Sequence, residues 1–271
     1  MSGGREFPTT ECETWEDFER ALVEPKPVLP DERPIILYRG QSFHEWPLAT
    51  TLERRTNNRS FLEFYRGILS IQPGIEALTE KRWAVPSFRE IRDLDSDYDA
   101  LSLKMTFGES PAYEYLAYLR HHGFPSPLLD WTRSPYIAAY FAFRHKSKNE
   151  WVSVYELRKH PRQTGSNQEP QVHQLGPNIR THRRHVLQQS DYTICLRFEG
   201  SAWHFAPHQE GLGISGRSAT PNYKIRKFNI RATERIKALK LLDLHNVNAF
   251  SLFDSEDSLM ETLAVRKYDY D

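Results

Sequence analysis

Residues 116–143 read LAYLRHHGFPSPLLDWTRSPYIAAYFAF, and the fold class turns on this stretch. It closes a helical pattern over 112–119 with His122-Gly123, because a glycine readily takes the left-handed conformation that ends a helix. Pro125-Ser126-Pro127 then disfavours helix and forces an extended or turning path into Leu128-Leu129-Asp130-Trp131. Ser134-Pro135 starts a second helix: proline suits the first helical position, and Ile137, Ala138, Tyr140, Phe141 and Ala142 make the segment almost wholly apolar, as a buried central helix requires.

Upstream, Ile35-Ile36-Leu37-Tyr38 reads as a buried strand ending at Arg39-Gly40. Phe61 to Ile71 has helical spacing, with Ser60 as its cap and Pro73-Gly74 as its end. Downstream, Trp151–Leu157, Tyr192–Phe198 and Tyr223–Ile230 alternate as half-buried strands, the second with Tyr192, Ile194, Leu196 and Phe198 on one side. A helix over 233–244 is predicted, with Ile236, Leu239, Lys240 and Asp243 at i, i+3, i+4 and i+7, and a short one over 255–262. Strands mixed with helices, without regular βαβ alternation, predict a single α+β domain over 34–271. Residues 1–33 read as an N-terminal appendage: a helix over 12–23 with Trp15, Phe18, Leu22 and Val23, capped by Thr14, then a joint at Pro25, Pro27 and Pro30.

Composition bounds the function. The 271 residues hold 36 acids and 36 bases, so bulk charge does not hold this chain to nucleic acid or an anionic membrane. The balance is uneven along the chain: nine acids face four bases in the first 33 residues, and nine bases face three acids over 144–184. The basic stretch is either a solvated face or an attractor for an anionic substrate, with His182, Tyr192 and Trp203 available for stacking. Two cysteines, Cys12 and Cys195, make no disulfide framework. The longest apolar run, 137–143, falls short of the roughly 20 residues that span a bilayer, and the N-terminus has no signal-peptide pattern, so a cytoplasmic location without membrane contact is expected. Phosphate-loop, GxGxxG, HExxH and GxSxG patterns are absent, and His182 and His185 flank two arginines that would oppose a cation, so no metal site is expected.

Chemistry can be carried in two places. Tyr38-Arg39-Gly40-Gln41 puts a permanent cation at a strand end, beside a glycine that admits close approach of a ligand and an amide that bonds in two directions. The fork suits phosphate or ribose oxygens; the alternative is a partly buried arginine tied to a carboxylate. The second place is the turn holding His121, Asp130, Thr132 and Ser134. His121 offers a base and the hydroxyls offer nucleophiles or positioning groups, but Asp130 and Ser134 equally suit caps and His121 a backbone carbonyl.

These residues resemble the FRG domain, a bacterial and phage-associated family marked by an (F/Y)RG motif. Tyr38-Arg39-Gly40-Gln41 is similar to that motif. His121-His122-Gly123-Phe124-Pro125, Leu128 to Thr132, and Ser134-Pro135 to Phe143 are similar to the family's H-x-G-x-P-T-R-L-L-D-W-T-x-S-P-x-x-A-x-x-F-A block, departing at Ser126 and Pro127, where the family has Thr-Arg. Arg184-His185, Gln188 to Ser190 and Tyr192-Thr193 resemble a third block. The motif order is in turn similar to that of ADP-ribosyltransferases, which implies a central split β-sheet and an enzyme that takes NAD as substrate. By that analogy the catalytic set is Arg39, Thr132 and Gln188, with Arg39 on the pyrophosphate or ribose, Thr132 bracing Arg39 and the nicotinamide ribose, and Trp131 or Tyr192 stacking on nicotinamide. Tyr38, Gly40, Gln41, His121, Asp130 and Ser134 complete the nucleotide site. Gln188 carries no charge, so an anion has to come from Glu63, Glu210 or Glu256, with Glu256 preferred. The implied activity is cleavage of the nicotinamide glycosidic bond with ADP-ribose passed to protein, nucleic acid or water, in a toxin or phage-defence effector with an inhibitory partner. The rival readings are a non-catalytic nucleotide-binding sensor and an RNA-binding module.

Overall fold

A computed structural model describes residues 8–23, 35–159, 169–213 and 223–270. Its elements follow the chain as β1 (Thr9–Cys12), α1 (Trp15–Val23), β2 (Ile36–Gln41), α2 (Thr51–Arg55), α3 (Phe61–Thr79), α4 (Phe88–Ser96), α5 (Tyr98–Thr106), α6 (Tyr113–His121), β3 (Leu129–Thr132), α7 (Pro135–Phe143), β4 (Trp151–Lys159) and β5 (Gln171–Gln174). They continue with α8 (Arg183–Leu187), β6 (Ser190–Glu199), β7 (Ala202–Phe205), α9 (His208–Gly211), β8 (Tyr223–Arg231), α10 (Arg235–Leu244), α11 (Ala249–Phe253) and α12 (Glu256–Tyr268). The strands form one mixed sheet in the order β1-β8-β4-β2-β3-β6-β5, with β7 on the far half of β6. β1 runs parallel to β8, and the other pairings are antiparallel. The α+β class expected from the sequence is the one observed.

Alternation along the strands sorts the core. One face of the sheet carries Leu37, Leu129, Trp131, Tyr155, Leu157 and Cys195. The other face is divided. Over β2, β4 and β8 it packs Tyr38, Val154, Phe228 and Ile230 against α1, α7 and α10. Over β6 and β7 it packs Tyr192, Ile194, Leu196, Trp203 and Phe205 against α3 to α6. The all-apolar α7 lies against β2 so closely that a Cβ on Gly40 would sit 1.9 Å from the Ala138 carbonyl oxygen. Gly40 is therefore dictated by packing of a helix on a strand, which corrects the expectation that it clears a path for ligand.

Several expectations change. The N-terminal segment is not an appendage: β1 adds a strand to the sheet edge, and Cys12, Trp15 and Phe18 are fully buried, while the proline joint lies outside the described residues. The helix expected to stop at Pro73 continues as α3 to Thr79, because Ile71 and Ile75 still pack on the core and hold the turns on both sides of the proline. The helix read over 233–244 is present as α10, which buries Leu239 together with Ala238 and Leu242. α4 and α5 have no counterpart in the sequence reading.

Three of the nine bases of the basic stretch are matched by acids. Arg144 pairs with Glu261 at 2.7 Å, Arg183 with Asp254 at 2.6 Å and Arg158 with the buried Glu156 at 2.6 Å. Acids of the N-terminal segment are matched likewise, Glu13 by Arg231 and Glu16 by Lys237. Trp203 is buried and stacked on Tyr98 at 5.3 Å, so it offers no face to a base. Among the described residues no helix is long and apolar enough to cross a membrane, and no group of metal-ligating side chains gathers.

Candidate nucleotide cleft

β3 is paired with β6 along its whole length, from Leu129 to Thr132, but with β2 at one position, Tyr38 opposite Thr132. Past that position the two strands part, and the guanidinium of Arg39 bridges them, donating from Nη1 to the Asp130 carbonyl at 2.8 Å. The gap opens into a cavity of about 580 Å³ between the two helix-covered halves of the sheet. That volume lies within the range of small-molecule sites, roughly 300–1,000 Å³.

Ten of the twelve residues expected at the site line this cavity: Tyr38, Arg39, Gly40, Gln41, His121, Asp130, Trp131, Thr132, Gln188 and Tyr192. Segments 91 and 56 residues apart meet there, through Arg39 with Asp130 and through Thr132 with Gln188. The two others lie elsewhere. Ser134 is the cap of α7, accepting from the Ile137 amide, and Glu256 is exposed on the first turn of α12. Glu63 pairs with Arg66 and Glu210 with Arg197, so none of the three glutamates lines the cavity.

Electrostatics distinguish the cleft. Arg39 is joined by Arg120, on the last turn of α6, and by Arg54, on the last turn of α2. Asp130 is the one carboxylate among the lining residues; it pairs with Arg120 and lies 3.9 Å from Arg39. Burial holds the Arg39 pKa down to about 10, with Asp130 pulling the other way, so the group is cationic at neutral pH. The Nε atoms of Arg39 and Arg120 are buried without a partner. A buried donor left unmatched costs about 1–3 kcal/mol, and both residues line the cavity.

The polar groups differ from their expected roles. The Thr132 hydroxyl donates to the Gln188 carbonyl at 2.8 Å and accepts from the Ser134 amide at 3.2 Å, so it ties β3 to the loop after α8 instead of bracing Arg39. The Gln188 side chain donates to the Leu252 carbonyl of α11 at 3.1 Å. Trp131 turns its indole to the opposite core, where Nε1 donates to Thr193 at 2.8 Å, and Tyr192 is sandwiched in protein with its ring stacked on His185 at 5.7 Å. Neither is a platform for nicotinamide. Tyr192 presents its hydroxyl, 2.8 Å from His121 Nε2. Burial pushes the Tyr192 pKa up and the His121 pKa down to about 4, so at neutral pH the phenol donates to a neutral imidazole.

The sequence reading missed Arg54, Arg120 and Trp46. Arg120 was visible beside His121 at the end of a helix whose next segment leads into β3. Trp46 was visible as an aromatic in a polar loop; it is 53% exposed, lines the cavity, and has its ring held edge-on to Phe43 at 6.0 Å.

No curated protein and no solved structure matches the chain. The family model of the FRG domain matches residues 34–150, a stretch that supplies β2, α2, α6, β3 and α7 with their cavity-lining residues. The sheet that closes the site draws β4, β6 and β8 from beyond it. That match identifies residues 34–150 as an FRG domain.

Proposed function

We propose that the cleft binds a pyrophosphate-bearing nucleotide of the NAD type. The observation that carries this reading is the meeting of Arg39, Arg54 and Arg120 against the single carboxylate of Asp130, at a gap in the sheet, with two guanidinium N–H groups unmatched. A diphosphate answers both the charge and the donors, since guanidinium groups grip phosphate oxygens in pairs and strongly when water is excluded. The test is calorimetry with NAD and with ADP-ribose. Both are expected to bind, and Arg39→Ala is expected to weaken each about a hundredfold, in line with charged hydrogen bonds worth about 1.5–3 kcal/mol apiece. If neither ligand binds the wild-type chain, the reading fails.

ADP-ribosyl transfer is the second reading, and Asp130 is what favours it. As the carboxylate lining the cavity, it is the group able to stabilise the positive charge that grows on ribose as nicotinamide departs; Gln188 is neutral and tethered to Leu252. Release of nicotinamide from labelled NAD, lost in Asp130→Asn while NAD still binds, supports an enzyme, and a toxin or phage-defence role would follow from spending NAD or modifying a target. Binding without nicotinamide release assigns the chain to nucleotide sensing. RNA binding through residues 144–184 is the weakest reading, because Arg144, Arg158 and Arg183, three of its nine bases, are each matched by an acid and Trp203 is buried against Tyr98.

A further inference from the structure

Gln41 ends β2 on the same side of the strand as Arg39, and its side chain is 6% exposed. Its Nε2 donates to the Pro47 carbonyl at 3.4 Å, which fixes which end of the amide is which. The other end, Oε1, is a buried acceptor with no partner. Both Gln41 and Pro47 line the cavity, and so does Trp46, the neighbour of Pro47 in the chain. Its indole is half exposed, and the edge-on packing of Phe43 restrains it. One end of the cleft thus combines a flat apolar plate with a fixed acceptor, while Arg39, Arg120 and Arg54 supply cations elsewhere on its wall.

We propose that the Gln41–Trp46 end of the cleft selects a flat ring bearing an N–H donor: the ring lies on the Trp46 indole and its N–H group is taken by Gln41 Oε1. This rests on the reading of the cleft as a nucleotide site. A buried acceptor without a partner penalises any ligand that leaves it so, and a neutral acceptor facing a ligand carbonyl or carboxylate is repelled. Stacking on an exposed indole adds affinity for any ring, so Trp46 sets how tightly a ring is held and Gln41 sets which ring. In an NAD-type ligand the donor is either the nicotinamide carboxamide or the adenine 6-amino group, and the two are chemically alike at this site.

The experiment is calorimetry with three ligands: NAD, its analogue with nicotinic acid in place of nicotinamide, and its analogue with unsubstituted purine, which lacks the 6-amino group, in place of adenine. With the wild-type chain at least one analogue is expected to bind ten or more times more weakly than NAD, and the analogue that does so identifies which ring enters this end. In Gln41→Leu that gap is expected to close to within about twofold, and Trp46→Ala is expected to weaken all three ligands about tenfold. NAD binding with both analogues equal to it on the wild-type chain overturns the inference and leaves the nucleotide site standing, as does a gap that persists unchanged in Gln41→Leu. If none of the three binds, both fall together. The wild-type series decides without any variant, so poor folding of Gln41→Leu does not shield the proposal.

Discussion

Tyr192 and Thr193 are neighbours on β6, so their side chains lie on opposite faces of the sheet, and each hydroxyl meets a histidine: Tyr192 with His121 at 2.8 Å, Thr193 with His208 at 3.0 Å. The two pairs are alike in chemistry and opposite in setting. The His208 pair is sealed: His208 is 1% exposed, Thr193 also accepts from the Trp131 indole, and His208 Nδ1 faces Glu53 at 3.7 Å. It has the order of an acid, an imidazole and a hydroxyl, but none of its three members lines the cavity, so no substrate reaches it. The His121 pair borders the cleft, where the wall keeps unmatched donors at Arg39 and Arg120 and an unmatched acceptor at Gln41. His208 Nδ1 is itself buried without a hydrogen-bond partner, so the contrast shows that access to a cavity, rather than a familiar trio of residue types or unmet capacity alone, is what separates a binding site from a structural network.

The sealed pair is expected to govern stability and the open pair binding. His208→Leu carries the largest effect. Burial alone would raise the Glu53 pKa, but its contacts with His208 and Thr50 outweigh that and hold it below the ordinary carboxylate value. Removing the imidazole leaves a buried carboxylate with only the Thr50 cap, so urea unfolding is expected to show a loss of about 3 kcal/mol, with nucleotide affinity of the folded protein unchanged. A variant that keeps its stability and loses nucleotide would reverse the division between the two faces. Thr193→Val comes next, at about 2 kcal/mol, because both the Trp131 indole N–H and His208 Nε2 lose their partner. Tyr192→Phe is smaller, about 1 kcal/mol, since one bond is removed at the edge of a cavity that water can enter; a few-fold change in nucleotide affinity distinguishes it from the two sealed-face variants.

Much of this contrast was legible in the sequence. The run of Tyr192, Ile194, Leu196 and Phe198 on one side of β6 is the one packed against α3 to α6, and the two quoted motifs do meet at the gap between β2 and β3. What was not legible depends on which way a side chain turns within a shared segment. Asp130 and Thr132 alternate with Trp131, so the indole is carried to the opposite face from the residues flanking it. Gly40 looked like a clearing for ligand, but its open side is filled by the α7 backbone, a contact between segments about a hundred residues apart. Glu256 had the right chemistry at a helix start; the helix lies away from the gap, and its first turn explains the acid through the helix dipole alone. Arg54 and Arg120 sit outside the quoted motifs and become site residues through the tertiary path of α2 and α6.

The finest test of the open pair is its pH dependence. Burial is the main cause that holds the His121 pKa down to about 4; Asp130 opposes it, while His182, Arg120 and His185 add to it. In the unfolded chain the ring titrates near its ordinary value of about 6.5. Between these two values the unfolded state binds the proton and the folded state does not, so stability rises with pH across the interval. The contribution is complete above about pH 6.5, is lost as pH falls toward 4, and changes no further below. His122 and His182 are also held down by burial, and they remain in any variant at 121. Urea unfolding of wild type and His121→Gln at pH 7 and pH 4.5 therefore isolates one ring: the wild-type loss on acidification is expected to exceed that of the variant by about 1 kcal/mol, allowing for partial exposure. Equal losses in the two proteins would mean that the imidazole is protonated in the folded state as readily as in the unfolded one, and that the open pair differs from the sealed pair in access alone.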